Sequence, residues 1–261
     1  MRKAAEEDWF TKMKITIVTA VLNRVETIAQ STNSVLSQSH TDVELLVQDG
    51  GSSDGTLDLL SDIGDSRLQL VSEPDYGIYD AINRGISRAS GEVVGVMHSD
   101  DFFAHEKVLE HVAEIFKDES IDGVFGDLEY VSAKEPQNVI RRWRAGEYQV
   151  RKLWWGWMPP HPTLYLRREV FEKFGDYNEE YRIAADYEAI LRWLLRANIK
   201  LAYLPEVMVK MRVGGESNRS IEHLIQKSRE DYRSIRAHRV GGFITLFFKN
   251  VNKLMQFFPQ K

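Results

Sequence analysis

The sequence predicts an α/β fold with a mainly parallel central sheet, flanking helices and a helical tail. Three observations lead there. Aliphatic and β-branched runs alternate with helix-like stretches in the N-terminal part of the chain, the pattern that produces right-handed βαβ crossovers. Polar residues collect where those runs end, and parallel sheets bind ligands at the carboxyl ends of their strands. The length of 261 residues, with 43% hydrophobic and 28% charged, suits one large domain or a domain with an appendage.

The first run, Ile15 to Val21 (ITIVTAV), reads as a buried strand. A helix-like stretch over 26–37 offers Ile28, Val35 and Leu36 to a core. Residues 43–47 form a second apolar run that ends at Asp49. The following DGGSSDGT, ending at Thr56, is dense in turn and cap residues and opens a helix over 57–63. A third strand over 68–71, a helix over 78–89 and a fourth strand over 93–97 follow, the last running into His98-Ser99-Asp100-Asp101. Beyond about residue 120 the rhythm loosens. A strand over 121–130 precedes a region with Trp143, Trp154, Trp155 and Trp157, then Pro159-Pro160-His161-Pro162. Residues 186–197 and the tail from 220 read as helical.

Composition excludes several classes. A net charge of −5 argues against wholesale nucleic-acid binding. With no cysteine, the chain has no disulfide, zinc-thiolate or cysteine nucleophile. The N-terminal MRKAAEEDWFTKMK lacks the apolar core of a signal peptide, and no run reaches the ~18 apolar residues of a membrane span. A cytoplasmic location is the expectation.

Several acidic residues could carry chemistry. Asp100 and Asp101 end an apolar strand, where adjacent carboxylates suit a hard divalent cation that also takes substrate phosphate oxygens. Their bland alternative is an exposed turn capping a helix from Phe102 onwards. Asp49 is either an Asx-turn cap or a reader of base or ribose. Asp186 is either a helix N-cap, with Glu188 and Arg192 paired on an exposed face, or a general base kept ionised near a helix start. His161, rigid between prolines, could touch phosphate or metal, although a lone histidine more often serves packing or hydrogen bonding. The tryptophans divide between core and sugar stacking.

The segments TIVTAVLNR, VQDGGSSDGT, SEPDYGIYDAINRGISRASGEVVGVMHSDD and PPHPTLYLRREVFEKFGDYNEEYRIAADYEAILR, in that order, resemble inverting family 2 glycosyltransferases with the GT-A fold. The resemblance spans about residues 14–215. It divides the chain into an N-terminal extension (1–13), a GT-A domain (14–215) and a C-terminal helical tail (216–261). It implies that Ala20 and Asn23 line the nucleotide, that Asp49 contacts the base, and that Gly77 and Asp80 sit where the next helix approaches the donor. Asp100 and Asp101 match the DxD-type motif for Mg²⁺ or Mn²⁺, Asp101 as the direct ligand. Asp186 matches the catalytic base. The first loop departs from the family in having Ala20 and Leu22 instead of the frequent proline and tyrosine. The Gln-x-x-Arg-Trp motif of processive members is missing, which argues for single addition.

The expected reaction is transfer of a sugar from a nucleotide diphosphate carrier, most commonly a UDP-hexose, to a hydroxyl on a glycan or lipid-linked acceptor. Two rivals remain at this level. A sugar-1-phosphate nucleotidyltransferase would carry a Gly-rich basic loop after the first strand, where this chain reads Thr19-Ala-Val-Leu-Asn-Arg24. A non-catalytic nucleotide-sugar-binding module would have no reason to hold Asp49, Asp100, Asp101 and Asp186 together. In the tail, Ile244, Phe247, Phe248, Val251, Leu254, Met255 and Phe258 recur as an amphipathic stripe, with Lys227, Arg229, Arg233, Arg236 and Arg239 upstream. The stripe either packs on the domain or lies on an anionic membrane through 240–261.

Overall fold

A computed structural model describes residues 13–213 and 221–255. Its sheet has nine described strands: β1 (Ile15–Val21), β2 (Val43–Asp49), β3 (Leu68–Ser72), β4 (Val93–Val96), β5 (Phe102–Phe103), β6 (Gly123–Val131), β7 (Val139–Trp143), β8 (Tyr165–Arg167) and β9 (Leu201–Arg212). The helices are α1 (Ile28–Leu36), α2 (Thr56–Ser61), α3 (Ile78–Arg88), α4 (Val108–Ile115), α5 (Arg168–Phe174), α6 (Ala185–Leu195), α7 (Ile221–Ala237) and α8 (Phe243–Met255).

The strand order is β3-β2-β1-β4-β8-β6-β9-β5, with β7 added on β6. The half made by β3, β2, β1 and β4 is parallel throughout. β8 then runs antiparallel to both β4 and β6, and β9 returns parallel to β6. The parallel half behaves as the alternation requires: β1 and β2 are buried nearly end to end because helices cover both faces. One close approach explains a glycine. A Cβ on Gly85 would stand 2.3 Å from Val18 Cγ1, so glycine lets α3 lie flat on β1.

Register fixes the site. Val21 pairs with Asp49 and Asp49 with Ser72, so the polar ends of three strands lie on one edge. β4 ends beside them, because Met97 N–H donates to the Val18 carbonyl at 3.0 Å. One expectation is corrected here. No helix starts at Phe102; the chain enters β5, which pairs antiparallel with β9, and α4 begins only at Val108. The aspartates before Phe102 therefore cap no helix.

The tail joins the domain core, since Ile235 and Val240 are fully buried in the same apolar cluster as Trp193 and Tyr187. Among the described residues, no helix is long and apolar enough to cross a membrane.

Candidate active site

Two loops at the parallel edge are stitched into one wall. Asn23 takes a left-handed backbone (φ 52), from which its Oδ1 accepts the Ser53 N–H at 2.9 Å. Its own N–H donates to Ser52 Oγ at 2.8 Å. Asp54 accepts the Val25 N–H at 3.0 Å. Asp49 organises this wall from beneath. It is fully buried and accepts from the Gly51 and Ser52 amides at 2.8 and 2.9 Å, from Ser72 Oγ at 2.7 Å and from the Ser52 hydroxyl. Burial pushes its carboxyl up, but these hydrogen bonds outweigh burial and hold it below the usual range. The N-cap of α2 is Gly55, so Asp49 shapes the loop and does not cap the helix.

Asn23 and Asp100 both line a cleft of about 410 Å³, whose walls also include Arg24, Thr27 and Arg212. Asp49 and Asp80 are not among the residues lining it, and Ala20 sits half-buried at the end of β1. Gly77, with φ 130, is the N-cap of α3 in a conformation open to glycine. Asp80 closes the first turn of that helix, accepting the Tyr76 N–H at 2.8 Å and pairing with Arg84 at 2.8 Å.

Asp101 is wholly buried. Its Oδ1 accepts the Arg212 N–H at 3.2 Å, while its Oδ2 has no partner. Burial and the adjacent Asp100 charge drive its carboxyl well above the usual range. A buried carboxylate with an orphan oxygen is costly unless something positive completes it. The Arg212 guanidinium is already engaged with the Asp100 carbonyl and with Gln30 Oε1. All-oxygen donors on a strand end fit a hard divalent cation.

Asp186 lies in the first turn of α6 and does not cap it. Glu230 of α7 holds the segment leading into the helix, accepting the amides of Arg182, Ile183 and Ala184 at 3.2, 2.9 and 2.9 Å, and the N-cap residue Ala184 brings no side-chain cap bond of its own. The Asp186 carboxylate accepts the Tyr187 N–H within the same turn. Its Oδ1 is 3.4 Å from the Tyr79 hydroxyl, which donates to the Ile183 carbonyl at 2.9 Å. Burial raises the Asp186 carboxyl, but Lys227, His161 and Lys249 together hold it below the usual range. His161 itself is pushed down to about 4 by burial, so near neutral pH the two lysines carry that effect. His161 is buried, bonded to the Tyr177 hydroxyl at 2.8 Å, with its ring 5.8 Å from that of His98. Burial lowers the affinity of His98 for a proton, and the charges of both Asp100 and Asp186 act on it in the opposite direction, so it lies within electrostatic reach of the strand-end aspartate and of the α6 carboxylate.

Two sequence expectations need correction. Glu188 and Arg192 pair at 3.1 Å, but with 8% and 15% side-chain exposure they are an interior pair, and Glu188 also binds His238 at 3.0 Å. Lys227 does not belong to a surface basic patch, since it is largely buried and its charge acts on Asp186. Tyr79 and His98 lie within the segments that carry the resemblance, which gives them no role, and Arg212 and Glu230 lie outside them; tertiary packing brings all four to the site. The tryptophans divide as the two readings allowed: Trp157 donates to the Ala145 carbonyl at 2.9 Å inside, while Trp154 and Trp155 are exposed.

The sequence model of glycosyl transferase family 2 matches residues 16–175, more than half of the chain. The chain belongs to this family. A PGL/p-HBAD biosynthesis glycosyltransferase of Mycobacterium bovis is 30% identical over 212 residues, covering 79% of this chain and 80% of the relative. Two solved structures share the fold. TarS 1–349 of S. aureus, in complex with UDP-GlcNAc, superposes with a TM-score of 0.68 at 19% identity, covering 87% of this chain and 66% of TarS 1–349. Of the longer TarS chain, this one spans 40%. The mannosyltransferase PcManGT of Pyrobaculum calidifontis, in complex with GDP-Man and Mn²⁺, gives 0.64 at 17% identity, covering 93% and 74%. The architecture is therefore that of the GT-A glycosyltransferases.

Proposed function

We propose that this glycosyltransferase moves one sugar from a nucleotide diphosphate donor, a UDP-hexose by preference, to a hydroxyl acceptor with inversion, in building cell-envelope glycans. The carrying observation is the separation of two kinds of carboxylate. Asp101, with Asp100 beside it, is an incomplete oxygen-donor set at the cleft. Asp186 is an ionised carboxylate in the first turn of α6, within electrostatic reach of the same His98 on which Asp100 acts. Asp101 and Asp100 would hold Mg²⁺ or Mn²⁺, which when bound neutralises charge developing on the leaving diphosphate. Asp186 accepts the acceptor hydroxyl proton on the opposite side of the sugar. Asn23 and the wall below it bound the nucleotide, and Arg212 closes the cleft above Asp100. The M. bovis relative's role in PGL/p-HBAD biosynthesis supports an envelope glycan.

The tail supports an acceptor held at a membrane surface. α8 turns Thr245 and Lys249 inward while Asn250 and Asn252 stay exposed, and Lys249 pairs with Asp231 at 2.5 Å under the Tyr187 ring. Phe243, Ile244 and Phe247 are left 73%, 71% and 62% exposed. Trp155, edge-on to Phe248 at 4.8 Å, and Leu224 with Ile225 on α7 extend this apolar face. Of the acids of α7, Glu230 and Asp231 are buried and Glu222 is exposed, while Arg229, Arg236 and Arg239 stay exposed. An apolar surface rimmed by arginines complements an anionic bilayer. Phe258 lies outside the described residues.

A donor panel tests the reaction. With Mn²⁺ and a hydroxyl acceptor or water, one sugar nucleotide should yield free nucleoside diphosphate. Release of pyrophosphate, or no turnover of any donor, would overturn the reading.

A further inference from the structure

We propose a second metal site, built from His105, His111 and Glu206 and selective for borderline transition ions such as Zn²⁺ or Ni²⁺. His105 lies in the loop after β5, His111 on α4 and Glu206 on β9, so three separate elements converge. His111 Nδ1 is 2.9 Å from each Glu206 oxygen, and His105 Nε2 is 3.6 Å from Glu206 Oε1. All the ligand atoms of the trio fall within 4.8 Å of one another. Ligands at about 2.0–2.2 Å around a tetrahedral zinc stand roughly 3.3–3.6 Å apart, so small side-chain shifts would bring the three around one ion.

The backbone has been shaped to present these side chains. Along β6 and β9, Gly126 pairs with Leu204 and Asp127 with Val207, so Pro205 and Glu206 form a bulge. Bulges re-aim side chains, and this one turns Glu206 toward α4. The histidine loop is held just as firmly. Buried Gln38 donates to the His105 carbonyl at 2.9 Å and accepts the Leu109 N–H at 3.0 Å, and Ser39 N–H donates to the Glu106 carbonyl at 2.7 Å. Ion binding would therefore order little that is not already ordered. One rearrangement is required. His105 Nδ1 now accepts the Lys107 N–H at 3.3 Å, which leaves the proton on Nε2; ligation through Nε2 moves it to Nδ1 and releases this long contact.

The site is separate from the oxygen-donor pair. Arg212, bound to Asp101, and Glu206 lie six residues apart on β9, about 20 Å at ~3.3 Å per residue. The donor chemistries also differ. Imidazole nitrogens select zinc and nickel over magnesium, whereas the carboxylates of Asp100 and Asp101 suit magnesium or manganese. With two rings partly exposed, the remaining coordination positions open to solvent. The ion would clip α4 to the β9 edge, a structural effect with no part in sugar transfer.

Titration calorimetry with ZnCl₂ alone, on the intact protein saturated with Mg²⁺, tests this. One Zn²⁺ equivalent should bind the wild type, and the same addition should raise its melting temperature while further Mg²⁺ does not. In the His105→Ala/His111→Ala double variant, that equivalent should weaken by at least tenfold and the thermal shift should vanish, with donor turnover retained. Glu206→Gln, which keeps the side-chain shape, should weaken Zn²⁺ in the same direction and gives a reading should the double variant fail to fold. Zn²⁺ binding of equal strength in the wild type and a folded variant, or no Zn²⁺ bound by the wild type, would overturn the proposal.

Discussion

At the residue scale the decisive contrast is between Asp101 and Asp186. Both are acidic, yet packing sends their proton affinities in opposite directions. Asp101 is buried beside Asp100 with an oxygen unpartnered, so its charged form waits for a cation. Asp101→Ala should abolish transfer, and EDTA should silence the wild type until Mn²⁺ is restored; full turnover in excess EDTA would remove Asp101 from the metal role. Asp186 is held ionised mainly by Lys227. Asp186→Asn should lower kcat by roughly 10²–10⁴-fold, with donor affinity by calorimetry nearly unchanged. The pH sign follows from the depressed carboxyl. Asp186 stays a base down to below the ordinary aspartate value of about 3.9, so its acid limb lies below that value. Removing the Lys227 charge raises the folded carboxyl, and Lys227→Met should move the acid limb of the kcat profile upward. A limb that stays in place would mean that Lys227 does not set the state of the base.

At the scale of elements, α7 and α8 show how buried charge binds a tail to a domain. Glu230 binds the three amides that lead into α6, and Asp231 meets Lys249 in a pair with 2% and 3% side-chain exposure. Breaking such a pair from one side leaves an uncompensated interior charge, at a cost of about 3–5 kcal/mol. Asp231→Ala should therefore lower the unfolding free energy by about that amount in urea denaturation. The double variant Asp231→Leu/Lys249→Met should recover much of it, since a buried ion pair exchanged for apolar residues is often neutral. An additive loss in the double variant would show that the two charges do not act as a pair.

For the whole molecule, the same interior pair decides how membrane attachment can be tested. Cutting the chain near Arg239 would remove Lys249 and strand Asp231 in the core, so a truncated protein would report folding and attachment together. Phe243→Ser/Phe247→Ser alters only exposed side chains. The wild type should sediment with phosphatidylglycerol vesicles at low salt, and this double variant should stay in the supernatant while retaining its melting temperature and donor hydrolysis. Equal behaviour of the two proteins with vesicles would remove the bilayer from the reading of this face.

The sequence by itself determined the parallel half of the sheet, because β-branched runs alternating with turn-capped helices are local signals whose periodicity survives any packing. It also marked Asn23, Asp100, Asp101 and Asp186, because acidic and amide side chains at strand or helix ends stand out against an apolar background. The family motifs gave them an order. What it did not contain was the environment of each group. The chain leading into the helix of Asp186 is held by Glu230, which lies 44 residues further along the chain. Whether Lys227 is a surface charge or a partner of the base depends on how α7 docks. The tail shows the limit most clearly: an apolar stripe from Ile244 to Phe258 was legible, but only the Asp231–Lys249 pair decided which side of the helix Phe243–Met255 faces inward. Burial and charge pairing are sums over the whole fold, and for that reason tertiary structure alone assigns them.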